Sequence, residues 1–98
     1  MKKSISNDSI DSIAKVFRAI GSPIRIKMLL LLAEKEYCAC KFPDLLKISQ
    51  PNSSRNLTVL KKSGLVDSYR EGQKNIYFLK NKEMLPLIKQ VKDLLAND

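Results

Sequence analysis

Apolar residues recur at intervals of three and four early in the chain, at Ile10, Ile13, Ala14, Phe17 and Ile20. That spacing predicts an amphipathic helix with a single apolar stripe. Asp8 or Ser9 can cap its start and Gly21 can stop it. Ser22-Pro23 opens a second helix, with serine as N-cap and proline in the first turn, where its missing N–H costs nothing. Ile24, Ile26, Met28, Leu29, Leu30, Leu31, Leu32 and Ala33 make this helix apolar on nearly every side. Such a helix belongs at the centre of a domain. Phe42, Leu45 and Leu46 mark a short third helix ending near Ile48. Ser49-Gln50-Pro51 repeats the cap-then-proline device and starts a fourth. Leu57 and Leu60 give this fourth helix an inward stripe, with Val59 beside it, whereas Asn52, Ser53, Ser54, Arg55 and Asn56 make its first turns polar. Lys61-Lys62 suit the negative end of its dipole, and Ser63-Gly64 is a stop signal.

Leu65-Val66 leads into a hairpin pattern, with Tyr69, a turn at Glu71-Gly72-Gln73, and a return strand at Ile76-Tyr77-Phe78-Leu79. A last helix carries Met84, Leu87, Ile88, Val91, Leu94 and Leu95 on one stripe, opposite Lys89, Gln90, Lys92 and Asp93. The expected order is ααααββα, a mainly α fold with a small β-hairpin. A short third helix followed by a polar-fronted fourth reads as a helix-turn-helix, and the hairpin after it as a wing. No repeat, low-complexity tract or linker interrupts residues 1–98, so a single domain is expected.

Composition narrows the function. A chain of 98 residues, 44% hydrophobic, suits one packed domain and is too short for two. It contains no histidine, which removes most hydrolase triads, most catalytic zinc sites and the usual general base. An enzyme is not expected. The longest unbroken apolar run is Met28 to Ala33, far short of the roughly 20 residues of a membrane span. Met1-Lys2-Lys3 imitates the basic start of a signal peptide, but Ser4-Ile5-Ser6-Asn7-Asp8 supplies no apolar stretch behind it. A cytoplasmic protein with no membrane partner is expected. In that compartment a permanent disulfide between Cys38 and Cys40 is not the default.

The formal net charge of +8 points to a polyanion, nucleic acid before membrane surface. Charge of this kind is often only a solvated surface, but here its position is informative. Residues 50–80 hold Arg55, Lys61, Lys62, Arg70, Lys74 and Lys80 against Asp67 and Glu71, a net of +4 over the fourth helix and the hairpin. Gln50, Asn52, Ser53 and Arg55 at the front of that helix are candidates for base or adjacent phosphate contacts. Ser54 faces either a phosphate or the third helix. Arg70, Gln73 and Lys74 along the wing, with Lys61 and Lys62, are candidates for neutralising the DNA backbone.

Four segments, in order and in register, resemble the ArsR/SmtB-type winged-helix repressors. Phe17-Arg18-Ala19-Ile20-Gly21-Ser22-Pro23-Ile24-Arg25 resembles their start signature, and Glu36-Tyr37-Cys38-Ala39-Cys40 their metal box. The run from Ser49 to Leu60 resembles their recognition helix, and Ser63-Gly64-Leu65-Val66 the entry to the wing. The resemblance covers about residues 14–80. It implies a homodimeric repressor that leaves operator DNA on binding a metal or metalloid, or on thiol oxidation. Asn56 stands where the recognition helix usually has histidine, Ser22 where aspartate is usual, and Pro43 where some arsenic sensors carry a third cysteine. No histidine exists for the zinc site that other members build on the last helix.

The resemblance also gives the terminal helices, at about 8–20 and 83–96, the role of dimerisation elements. Ile10, Ile13, Phe17, Met84, Leu87, Ile88, Val91 and Leu95 are the expected interface residues. The alternative is that the last stripe merely closes the monomer core.

Cys38 and Cys40 carry three readings: two inert small residues, a site for As(III) or another soft ion, and a redox switch. In a regular helix, positions i and i+2 point about 200° apart. Both sulfurs meet one ion only if that segment is not helical. Two thiolates are also a thin donor set, which Glu36, Asp44, a second subunit or an external thiol would have to complete. Lys35 and Lys41 favour the thiolate forms. No cofactor is required by this reading. The competing functions are a winged-helix protein-interaction module, an ArsR-like regulator without metal sensing, and a dithiol oxidoreductase. For the last, Cys-x-Cys has the wrong spacing and context.

Overall fold

The computed structural model describes residues 5–96, so Met1, Lys2 and Lys3 lie outside the described residues. Five helices and three strands follow in the order α1 (Asn7–Ile20), α2 (Pro23–Glu34), β1 (Tyr37–Cys38), a 3-10 turn (Ala39–Lys41), α3 (Phe42–Leu46), α4 (Gln50–Lys62), β2 (Val66–Glu71), β3 (Lys74–Leu79) and α5 (Met84–Leu95). This is the expected helix and hairpin order with one addition, β1. The sheet is antiparallel with strand order β1-β3-β2.

Three serines set the helix starts. Ser22 Oγ accepts from Arg25 N–H and Ser49 Oγ from Asn52 N–H, each followed by a proline in the first turn. Helix α1 is capped by Ser6, whose Oγ accepts from Ser9 N–H, rather than by Asp8 or Ser9 as expected. Ser6 holds the extended backbone a cap requires, which leaves Asp8 in the first turn to face the positive end of the dipole. Helix α3 stops at Leu46, two residues early, because Lys47 turns left-handed (φ 57°) and Ile48 N–H bonds back to Pro43 O. Gly72 (φ 66°) begins the two-residue turn of the wing, a conformation glycine takes at no steric cost.

The core gathers Ala19 of α1, Met28, Leu29 and Leu32 of α2, Phe42 of α3, Leu57 and Leu60 of α4, and Leu65, Val66, Leu79 and Met84. Helix α2 packs against α1, α3, α4, α5 and β3, the central place its pattern predicts. Met84 is buried in this core, so it belongs to the fold of one chain and not to the expected dimer face. It opens α5, and the stripe turns outward only from Leu87 onward. Ile88 is half-buried against the core. Among the described residues no helix is long and apolar enough to cross a membrane.

Candidate nucleic-acid interface

Helix α4 divides its residues sharply. Leu57 and Leu60 point into the core, while Gln50, Ser54, Arg55, Lys61 and Lys62 are exposed and Asn52 is half-buried. Ser53 is the exception to the sequence reading. It is 2% exposed, packed inward on the side of Leu57, and its hydroxyl has no hydrogen-bond partner among the described residues. It cannot contact a base. The helical period puts Ser53 on the Leu57–Leu60 stripe and Ser54 outside it, so Ser54 takes the outward place.

The wing supplies Arg70, Gln73 and Lys74, all exposed. Lys61 is drawn toward the wing's first strand, where its Nζ donates to Ser68 Oγ at 2.8 Å and lies 3.9 Å from Asp67 Oδ1. Lys62 and Arg55 have no ion-pair partner among the described residues. A cleft of about 230 Å³ gathers Gln50, Ser53 and Ser54 of α4, Gln73 and Lys74 at the wing tip, and Cys38, Ala39 and Cys40. The front of α4, the wing tip and the cysteine pair thus meet at one place on the surface.

The structure brings the sulfurs of Cys38 and Cys40 together as a disulfide pair, a juxtaposition that the expectation for this pair did not favour. The cause is local backbone. Cys38 ends strand β1 in an extended conformation and Cys40 follows in a 3-10 turn, which brings their Cα atoms to 5.1 Å, within disulfide range. The segment is therefore not helical, the condition under which the two sulfurs can meet. Cys40 N–H also donates to Cys38 Sγ. Cys38 pairs with Ile76 of β3, and Ile76 pairs with Tyr69 of β2, so one cross-strand row links the disulfide to the wing.

A closed metal centre does not fit this arrangement. The two sulfurs stand without further donors: the described residues hold no group of three His, Cys, Asp or Glu placed to share an ion. Glu36 is engaged elsewhere, since its Oε1 accepts from Tyr69 Oη at 2.6 Å. That bond, more than burial or the nearby charges of Glu36 and Glu71, raises the Tyr69 phenol above its ordinary value. Lys35 sits over the Tyr37 ring, with Nζ 5.1 Å from its centre.

Two residues outside the sequence-predicted set join the site. Arg25 of α2 donates through Nε to Ala19 O, through Nη2 to Arg18 O, and through Nη1 to Asn56 Oδ1 at 2.8 Å. Asn56 in turn donates to the backbone and side-chain oxygens of Asn52. The signal for both was their place in the resembled motifs and on the helical period, which sets Arg25 in step with Met28, Leu29 and Leu32 and Asn56 in step with Leu60.

The model of the bacterial regulatory protein arsR family matches residues 22–68, from the cap of α2 into β2. The chain is 39% identical over 88 residues to the uncharacterized HTH-type transcriptional regulator MJ1325 of Methanocaldococcus jannaschii, covering 89% of this chain and 99% of that one. It is 32% identical to the cadmium resistance transcriptional regulatory protein CadC of Listeria innocua, covering 89% and 74%. Among solved structures, the homodimeric winged helix-turn-helix DNA-binding domain Mb0332 of Mycobacterium bovis superposes with a TM-score of 0.80 at 26% identity, covering 96% and 89%. A capped, polar-fronted α4, the wing beside it and these likenesses agree: the chain belongs to the ArsR family of winged helix-turn-helix DNA-binding transcriptional regulators, whose members are not enzymes.

Proposed function

We propose that the protein is a cytoplasmic homodimeric repressor that binds operator DNA through α4 and the wing and is released by oxidation of Cys38 and Cys40. The observation that carries this reading is the shared cleft, where a change at the cysteine pair meets Gln50, Ser54, Gln73 and Lys74 directly. Gln50, Asn52, Ser54 and Arg55 are the base-facing candidates; Lys62, Arg70, Gln73 and Lys74, with Lys61, serve the phosphates. An exposed front this polar also argues against a protein-interaction module, which would offer apolar or aromatic anchors.

Support for the dimer comes from two exposed stripes. Phe17 of α1 is 59% exposed and Leu95 of α5 is 81% exposed, while Ile10, Ile13, Leu87 and Val91 are also open to solvent. A groove of about 480 Å³ between these helices is walled by Phe17, Ile20, Ile26, Leu87, Ile88 and Val91. Apolar surface of this extent on a small domain calls for a partner. The related Mycobacterium bovis domain is described as homodimeric.

Oxidation of the pair removes two electrons and two protons and forms one S–S bond. Hydrogen peroxide accepts them and becomes two water molecules. The disulfide closes a short ring between β1 and the 3-10 turn, and β1 is bonded to β3 of the wing. Reduction frees both residues and with them the edge of the wing. A second reading, As(III) or another soft ion as effector, draws on the convergence of the two sulfurs and on relatives named for cadmium and arsenic resistance. It needs a further donor for the reduced pair.

The test uses fluorescent duplexes from the gene's own upstream region and the full chain. Reduced protein should bind, peroxide should release it, and added reductant should restore binding. Cys38→Ser/Cys40→Ser should bind and ignore peroxide; a response that survives would exclude the redox reading. Release of the reduced wild type, but not of the double variant, by As(III) or Cd(II) would favour the ion instead.

A further inference from the structure

We infer that Arg25 and Asn56 position Asn52 so that it reads DNA as a hydrogen-bond donor, selecting a keto base, guanine or thymine. The inference rests on the reading of α4 as the helix that enters the major groove. An asparagine amide carries one acceptor and two donors, and a free one can present either end. Here the choice is made by a chain of bonds that starts at an arginine. The Arg25 guanidinium has donors only, so the atom of Asn56 that meets its Nη1 at 2.8 Å must be the oxygen. Asn56 Nδ2 then faces the other way and donates to Asn52 O at 2.9 Å and to Asn52 Oδ1 at 2.7 Å. Asn52 Oδ1 is thereby held toward Asn56 through one of its two lone pairs, and its Nδ2, which has no partner among the described residues, is the end left to meet DNA.

The chain is built to hold. Asn56 is 9% exposed, and an unpaired amide there would carry the cost of a buried, unsatisfied polar group. Arg25 is fixed at two further points, by the carbonyls of Ala19 and Arg18 at the end of α1. The guanidinium satisfies carbonyls at that helix end and so is occupied within the fold instead of serving as a phosphate contact. Arg25 and Asn56 are positioning residues; Asn52 is the one that touches the base.

The consequence for recognition follows from the groove pattern. Guanine offers O6 and thymine O4, both acceptors, where adenine and cytosine present an amino group; the N7 acceptor is common to guanine and adenine and does not distinguish them. An asparagine that presents Nδ2 to the O6/O4 edge therefore favours a keto base and is repelled by an amino group at the same place. With Oδ1 turned toward Asn56 it is not placed for the two-bond contact with adenine, which needs Oδ1 and Nδ2 together in the plane of the base.

The test measures affinity for a bound duplex in which each base pair is replaced in turn. Wild type should prefer a keto base at one position of each half-site, by about 5–10-fold. Asn52→Ala should abolish the preference at that position alone. Asn56→Asp keeps the pairing with Arg25 but offers only acceptors, so Asn52 must turn its Nδ2 inward and present its oxygen. The preference should then invert to adenine or cytosine, which loss of packing alone would not produce. A keto preference unchanged in Asn56→Asp overturns the proposal. If that variant fails to fold by circular dichroism, Asn56→Ala replaces it and should flatten the preference; full retention there also overturns it. Should Asn52→Ala flatten a position where wild type prefers an amino base, the donor assignment fails while α4 remains the reading helix. Should it alter no position, Asn52 does not read DNA and the proposal fails together with that part of the proposed function.

Discussion

Tyr69 and Glu36 join the wing to the segment that leads into the cysteines, and their bond has a pH signature. The phenol is raised because its neutral form donates to the Glu36 carboxylate. A raised acid contributes stability that is fully present below its unfolded value, near 10, and is lost as pH rises through the folded value. Stability measured by urea unfolding should therefore fall more steeply above about pH 10 in wild type than in Tyr69→Phe. Identical alkaline profiles would mean the bond does not persist in solution. The bond was not legible in the sequence, because 33 residues separate its partners and only the sheet brings them together. Ser53 and Ser54 illustrate a finer limit. The period of Leu57 and Leu60 places Ser53 on the inward stripe, but its polar hydroxyl masks that place in a reading by hydropathy alone.

Among the elements, α4 has two faces with separate tasks, and substitution should resolve them. Leu60 is fully buried while Val59 beside it is 38% exposed. Leu60→Ala should cost about 2–5 kcal/mol of stability. Val59→Ala, which leaves no enclosed cavity, should cost under about 1 kcal/mol. Denaturant midpoints at one fixed protein concentration would show the difference; equal losses would place Val59 in a contact between copies. Helices α1, α2, α4 and α5 were legible because each carries a strong stripe or a serine–proline start. Strand β1 was not, since two residues, Tyr37 and Cys38, set up no alternation. It exists because β3 has a free edge beside it, and backbone groups at such an edge gain from pairing.

For the whole molecule, shape is the telling quantity. The radius of gyration is 14.9 Å, above the roughly 13 Å of a compact domain of this length. The excess fits α1 and α5 standing out from the core with apolar residues exposed. If these faces meet in the proposed dimer, Val91→Glu should convert it to monomer in sedimentation at micromolar concentration. It should also weaken operator binding, because two linked recognition helices engage two half-sites at once. A Val91→Glu protein that sediments as the wild type would move the interface elsewhere.

The sequence by itself determined the helices, the hairpin, the polar front of the fourth helix and the concentration of positive charge over it and the hairpin. Those features are local: periodicity, caps and turns act over a few residues, and they need no knowledge of distant neighbours. Tertiary structure decided which members of each stripe serve the core, burying Met84 and Ser53 and leaving Leu87 and Val91 outside. It also decided the chemistry at the two most informative places. Cys38 is held extended by pairing with Ile76 of β3, which lets the turn after it bring Cys40 alongside, and Asn52 is oriented because Arg25, 31 residues before Asn56, reaches across from another helix. Contacts of that range depend on how elements pack, which no local pattern encodes.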